Sequence, residues 1–467
     1  MKQIKEMMRS ILFAVATFFT AFSLAQQPPR PNILLLWIDN VGYGDLGCYG
    51  NKENKTPHID RLATEGVRCT DFYIGSPSCT PSRGALLTGR HPLRNGLNYQ
   101  TSTGERNWTE GLPPSERIIP QYLKSLGYAT GAFGKWNIGF HEGIRPTERG
   151  FDEFLGHMSG NIHYYKYLYH GWNDLRLGTE PIDRRGTYST DLFADAAIDF
   201  INRHRNQPWF VYLPFNAAHF VGAHNVEPGE KVEWQVPDKY LAMYGARPDE
   251  SNQQIRFRAV LAALDDAIGR VLKAVDDTQA RERTLVFCIS DNGAFMLPGR
   301  GLEVQTNKPL RDGGVTTYEG GVRVPAIVRW PGRLKPNTVC REMLSSLDVL
   351  PMILAATGTP GPTDRVLDGH DPIATLAGEK SSPHAALHWV WEQGKNEHWR
   401  GMRQGQYKIV RKADKEPWQL YDLSHDIGES HDLASTKPEL LESLVASFVA
   451  WQKSIESDPT RSKSLRQ

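Results

Sequence analysis

Apolar runs of five to seven residues recur through the first two thirds of the chain, each ending in polar residues. Ile33-Leu34-Leu35-Leu36-Trp37-Ile38, Trp209 to Phe215 and Thr284 to Ile289 show no alternation of apolar and polar positions. Runs of this kind mark strands covered on both faces. Ala129 to Phe133 is a weaker strand of the same type. Between these runs the spacing changes to that of helices. From about Gln253 to Ala274, Phe257, Val260, Leu261, Leu264, Ile268, Val271 and Leu272 fall on one face, and Asp191 to His204 is partly in period. Strands alternating with helices predict an α/β fold: a large, mostly parallel central sheet sandwiched by helices.

The pattern changes after Trp330-Pro331-Gly332. A helix is expected at about Ser346 to Ala356, then the Gly/Pro-rich stretch Thr357 to Thr363. Strand-like runs come next at Ala385 to Trp391 and Tyr407 to Val410, and a closing helix at Glu439 to Trp451. Residues 336–467 therefore read as a smaller C-terminal α+β subdomain behind a main domain of 26–335. The first 25 residues stand apart from both. Lys2, Lys5 and Arg9 precede the apolar run Ile11 to Ala25, and Ser23-Leu24-Ala25 offers small residues for a signal peptidase. A run of about 15 residues is shorter than the roughly 20 that a spanning helix needs. The expectation is a cleaved signal peptide, no stable membrane anchor, and a periplasmic or extracellular protein.

Charge changes this picture little. There are 54 Lys and Arg against 53 Asp and Glu. A chain this balanced has no global signature of nucleic-acid binding, which shows as a basic excess. Five cysteines, Cys48, Cys69, Cys79, Cys288 and Cys340, are too few and too scattered for a disulfide framework, and none has zinc-site spacing.

Candidate chemistry lies in the polar residues just past each strand. Ile38 leads into Asp39-Asn40, Phe133 into Lys135, Phe215 into Asn216 and His219, and Ile289-Ser290 into Asp291-Asn292. In parallel α/β sheets the ligand site lies beyond the carboxyl ends of the strands. Two Asp-Asn pairs supply hard oxygen donors of the kind that Ca²⁺ or Mg²⁺ takes. Helix caps and turns use the same residues, so either pair alone decides nothing. Cys79-Thr80-Pro81-Ser82-Arg83 places a cysteine at a helix start, where free N–H groups favour anions, with Arg83 one turn on. A buried inert cysteine is the competing reading of Cys79 taken alone.

These residues resemble a known family. SPSCTPSRGALLTGR contains the signature C-x-P-x-R of type I, formylglycine-dependent, arylsulfatase-like sulfatases. PNILLLWIDNVGYGDLGCYG, GYATGAFGKWNIG, SDNGAF, TTYEGGVRVPAIVRWPG and QLYDLSHDIGESHDLA are similar to further family segments in the family's order. The resemblance implies an alkaline-phosphatase-like fold and an exported sulfuric ester hydrolase that removes sulfate from a sulfated carbohydrate or aryl sulfate. It implies oxidation of Cys79 to formylglycine by a formylglycine-generating or sulfatase-maturing enzyme. Asp39, Asn40, Asp291 and Asn292 match the family's calcium ligands, with modified Cys79 completing the site. Arg83 matches the arginine supporting formylglycine, Lys135 a sulfate-contacting lysine, His219 the acid for the leaving oxygen, and Asp291 the base that activates the hydrated aldehyde.

Three positions depart from the family's commonest pattern. Asn40 replaces a second consecutive Asp, Asn137 stands where GKWHLG has its histidine, and Gly314 where a second sulfate-binding lysine is usual. Lys308, for the lysine, and His157 or His163, for the histidine, are the nearest substitutes by position. The departures keep two alternatives open: a sulfoglycan-binding protein without turnover, and a phosphoesterase on the related fold, which Cys79 disfavours. The aromatic segment Asn161 to Trp172, with His163, Lys166 and His170 interleaved, suits either a sugar surface or a core.

Overall fold

The computed structural model describes residues 30–101, 109–227, 230, 234–296, 303–393 and 397–466. The expected signal peptide at 1–25 lies outside them. No helix among the described residues is long and apolar enough to cross a membrane.

The four apolar runs form adjacent parallel strands. Thr284–Ser290, Asn32–Ile38, Trp209–Pro214 and Ala129–Lys135 lie side by side, and Glu153–His157 continues the parallel set. Antiparallel partners then extend both sides, and Thr338–Cys340 adds a parallel strand at one margin, to make ten strands. The absence of alternation has a direct cause. Leu34, Leu36 and Ile38 enter one apolar cluster while Ile33, Leu35 and Trp37 enter another on the opposite face. Helices Ser189–Arg203 and Gln253–Asp277 cover the first face through Phe193, Phe200, Val260 and Leu264. Helices Cys79–Thr88 and Val349–Thr357 cover the second through Leu86, Leu87, Leu350 and Ile353. The long helix starts where its sequence caps it: the Asn252 side chain accepts from the Gln254 N–H at 2.9 Å.

A second sheet of four antiparallel strands, Ala386–Gln393, Glu397–Gln404, Tyr407–Arg411 and Gln419–Asp422, carries helix Pro438–Glu456 on one face. Leu444 and Phe448 of that helix meet Val390, Met402, Ile409 and Leu420. The two sheets do not separate at residue 336. Thr338–Cys340 is still a strand of the large sheet, and Val349–Thr357 packs into its core, so the small sheet begins only at Ala386. A buried ion network fastens it to the large unit: Lys408 Nζ lies 2.8 Å from Glu319 Oε1 and 3.1 Å from Glu429 Oε1, and Arg403 reaches Asp71 at 2.6 Å.

Candidate active site

The carboxyl ends of the central strands converge on the start of the Cys79–Thr88 helix. Asp39, Asn40, Arg83, Lys135, Asp291 and Asn292 are fully enclosed, and Cys79 and His219 nearly so. Ser78 precedes the helix in extended conformation, which leaves Cys79 as its first residue. Ser82 turns its hydroxyl onto the Asp291 carbonyl at 2.6 Å, tying the helix to the end of the Thr284–Ser290 strand.

Charges are paired around Arg83. Its Nη2 lies 2.9 Å from Asp291 Oδ2 and 3.6 Å from Asp39 Oδ2, and its Nη1 donates to the Lys135 carbonyl at 3.0 Å. Lys135 Nζ donates to Asp39 Oδ2 at 2.6 Å. Asp39 Oδ1 faces Cys79 Sγ at 3.9 Å. Asp39, Cys79 and one ring nitrogen of His219 stand within 4.8 Å of one another. Asp291 lies outside that trio, held by Arg83 and by the Asn40 N–H at 3.0 Å. Asn40 adopts φ 55°, a left-handed geometry that Asn tolerates better than most residues, and this aims its N–H at Asp291.

Burial dominates the titration of the site. It pushes the Cys79 thiol up to about 12, with Lys135 opposing, so the cysteine is a thiol rather than a thiolate at neutral pH. Burial, reinforced by Asp39 and opposed by Arg83 and Lys135, raises Asp291 to about 6. Burial and then Lys135 lower His219 to about 3. His219 Nδ1 lies 2.7 Å from the Phe220 carbonyl, which only accepts, so Nδ1 carries the proton and Nε2 is left for other partners.

The donor set fits a hard cation. Two carboxylates and two amides stand together, and Asn292 Oδ1 is buried with no hydrogen-bond donor among the described residues. A buried carbonyl oxygen left without a donor is costly unless something electropositive meets it. Asn292 Nδ2 bonds Asn40 Oδ1 at 2.5 Å, which keeps the two amides in contact.

The departing positions are equally well defined. Asn137, at φ 56°, lies among neutral groups: its Nδ2 is 3.4 Å from Thr101 Oγ1, and its Oδ1 is 3.5 Å from Gln100 Nε2. A side chain at Gly314 has no room, because its Cβ would stand 2.4 Å from Phe295 Cδ1. Phe295 meets His219 edge-on, 5.9 Å between ring centres. None of the three substitutes takes its expected place. Lys308 is exposed and lines a different cavity with Asp45, Glu53 and Arg258. His163 is engaged by Glu230 at 3.2 Å and Gln235 at 2.7 Å. His157 is the register partner of Lys135 but is fully buried against Phe193, behind the site rather than lining it.

Above Cys79 opens a cavity of about 380 Å³. Besides Cys79 and His219, Gln100, Tyr169, His224 and Phe295 line it, together with Trp391 from the small sheet and Arg466 from the C-terminal tail. Of these six only Tyr169, in the aromatic segment, stands out in the sequence; the others come from loops, an edge strand and a tail without a chemical signature of their own. Only Asn161 and Tyr169 of the aromatic segment reach the cavity. Tyr164 and Tyr167 are buried, and Lys166 is spent on Glu227 and Glu230. Tyr164 does serve the site at one remove, donating to the His219 carbonyl at 2.8 Å.

Comparison with known proteins agrees with this geometry. Residues 31–359 match the family model Sulfatase, and residues 315–450 match N-sulphoglucosamine sulphohydrolase, C-terminal. N-acetylgalactosamine-6-sulfatase of Homo sapiens is 33% identical over 419 residues, spanning 81% of this chain and 74% of its own length. Arylsulfatase A of Homo sapiens is 34% identical over 497 residues, spanning 93% and 89%. The crystal structure of Ps i-CgsB in complex with k-i-k-neocarrahexaose superposes with a TM-score of 0.81 at 28% identity, covering 94% of this chain and 95% of that one. The large sheet with its small C-terminal sheet is thus the alkaline-phosphatase-like fold expected from the sequence.

Proposed function

The chain belongs to the sulfatase family and is a sulfuric ester hydrolase; from that premise we propose that it desulfates a sulfated carbohydrate outside the cytoplasm, using formylglycine at residue 79 and a bound Ca²⁺. The observation that carries this reading is the placement of Cys79 on the floor of the cavity, at the start of a buried helix, against Asp39 and within the Arg83–Lys135–Asp291 charge set. The carbohydrate is inferred from the relatives: one is named for N-acetylgalactosamine 6-sulfate, and another binds a neocarrahexaose. Tyr169, Trp391 and Phe295 supply aromatic faces around the cavity, which suit pyranose rings.

Asp39, Asn40, Asp291 and Asn292 would hold the cation, with residue 79 beside them. Together the cation and the hydrated aldehyde supply a Lewis acid for the sulfuryl oxygens and a hydroxyl nucleophile. The remaining work would fall to the chain's own side chains. Lys135 and Arg83 present fixed positive charge where charge develops on the transferring group, with no reorganisation needed in a water-poor site. Asp291, 2.9 Å from Arg83 Nη2, is the acceptor assigned to the nucleophile's proton. His219 keeps Nδ1–H on Phe220, so a proton for the leaving oxygen must ride on Nε2. Burial and then Lys135 disfavour that proton in the free enzyme, and an anionic group bound beside the ring would favour it.

Two measurements test the proposal. The peptide containing residue 79, from protein made in its own host, is expected to be about 18 Da lighter than the cysteine form, the change from thiol to aldehyde. Asp291→Ala should lose both Ca²⁺ and activity on a panel of defined sulfated oligosaccharides, since one of two carboxylates is gone. Unmodified Cys79 in active enzyme, or full activity of Asp291→Ala in chelator, would refute it.

A further inference from the structure

Of the five cysteines, Cys79 belongs to the active site, and the fold brings two of the others together. Val67–Cys69 and Thr338–Cys340 are neighbouring parallel strands at the margin of the large sheet, and Cys69 and Cys340 are register partners. Register partners project to the same face. Neighbouring strands run about 4.7–4.9 Å apart, within the roughly 4.4–6.8 Å that a disulfide spans between α-carbons. Both side chains enter the same apolar cluster. Each thiol shifts the other, raising Cys69 and lowering Cys340, and Cys340 Sγ lies 4.0 Å from the Thr375 carbonyl. They are not part of a metal centre among the described residues, where the only converging group of three or more ligating side chains is Asp39, Cys79 and His219.

We propose that Cys69 and Cys340 are a redox-active cross-strand pair that closes to a disulfide when the folded protein meets a small disulfide or a thiol oxidase. Cys340 is the entry point, being 6% exposed where Cys69 is fully buried. Its thiolate attacks one sulfur of the oxidant's disulfide and expels the other as a thiolate, which takes up a proton. Cys69 then gives up its proton, attacks the Cys340 sulfur of the mixed disulfide and expels the second thiolate. Two protein thiols lose two electrons and two protons, and the oxidant's disulfide becomes two thiols.

The bond ties the outermost strand to one that leads directly into the site. After Cys69 the chain runs through Asp71, which pairs with Arg323 and Arg403, into Phe72–Tyr73 and on to Cys79. Thr70 N–H already donates to the Cys340 carbonyl at 2.9 Å, so closure adds a covalent link to an existing seam. The link closes a loop of about 270 residues, long enough that its main effect is to restrict the unfolded chain.

Purified full-length protein, kept folded, would be treated with oxidised glutathione, denatured without reductant, alkylated and digested. One peptide pair joined through Cys69 and Cys340 is expected, lighter than the two thiol peptides by two hydrogen atoms, with Cys48 and Cys288 alkylated. Oxidised wild type should also melt several degrees above reduced wild type, and the Cys69→Ser/Cys340→Ser variant should melt alike in both conditions. Alkylation of both Cys69 and Cys340 after oxidation would overturn the proposal. So would glutathione retained on Cys340, which would show that Cys69 cannot reach it. The mapping uses wild-type protein, so it decides even if the double variant fails to fold.

Discussion

At residue 137 an amide sits in a fully buried position, and the polar side chains it touches among the described residues, Gln100 and Thr101, do not accept a proton at neutral pH. The proposed sulfate-transfer step uses Arg83, Lys135 and His219, which the fold gathers beside Asp39 and Cys79. Breakdown of the resulting ester needs a base, and neither His157 nor His163 reaches the cavity. Transfer should therefore outrun breakdown, and rapid mixing with saturating substrate should show a burst of about one equivalent of alcohol per modified site. Traces linear from the first turnover, with formylglycine occupancy confirmed, would show that another group acts as the base. The neighbouring departure behaves differently. Gly314→Lys cannot restore a cation to the sulfate pocket, because Phe295 occupies the space at 2.4 Å. The single variant should lose stability by about 1–3 kcal/mol from overpacking without gaining activity. Gly314→Lys with Phe295→Ala should regain only part of that stability, because the same Cβ would still stand 2.8 Å from the Gly293 carbonyl oxygen. A gain in the single variant would mean that Phe295 moves freely.

At the scale of elements, legibility tracked burial. The central strands were readable because both faces are covered and every position is apolar, and the long helix because its apolar stripe persists over several turns. Glu397–Gln404 gave no signal because its sequence is mostly polar and charged, although it pairs along its length with Ala386–Gln393. Val67–Cys69 and Thr338–Cys340 are too short to show a period, which is also why the Cys69–Cys340 adjacency is invisible in sequence. The network joining the two sheets was equally hidden, since Glu319, Lys408 and Glu429 meet only in the fold. It makes a sharp pH prediction. Burial, with Lys408 opposing, raises Glu429 to about 7, while Glu319, despite its burial, is held down at about 2 by Lys408 and then Arg323. Arg323 and Lys408 serve Glu319, whereas Glu429 has a share of Lys408 alone. For Glu429 the folded value exceeds the unfolded value near 4.5, so its contribution is full below about 4.5 and is lost as pH rises through 7. The melting temperature of wild type relative to Glu429→Gln should therefore fall between about pH 5 and 8. Parallel profiles would place the proton elsewhere.

Across the whole molecule, the groups proposed to react and the cavity walls have different origins. Asp39, Lys135, His219 and Asp291 stand at or just past the ends of strands of the large sheet, which is why sequence reasoning found them. Trp391 belongs to the small sheet and Arg466 to the tail, which returns over the large unit through the Ser462 N–H bond to the Arg94 carbonyl at 2.9 Å. The C-terminal region thus builds the outer wall of a site whose floor it does not touch. A small aryl sulfate needs the floor alone, whereas an oligosaccharide must also meet the wall, where the otherwise buried Trp391 lines the cavity. Trp391→Ala should raise KM for a sulfated oligosaccharide by about 10-fold or more, the loss of roughly 1.4 kcal/mol or more of binding, and leave kcat/KM for an aryl sulfate nearly unchanged. Arg466→Ala should act in the same direction if the oligosaccharide carries a second anionic group near the cleaved one, and should do little if it does not. Equal losses on both substrates in Trp391→Ala, with an unchanged melting temperature, would mean that the small sheet acts on the floor, through the Glu319 network, rather than on the sugar.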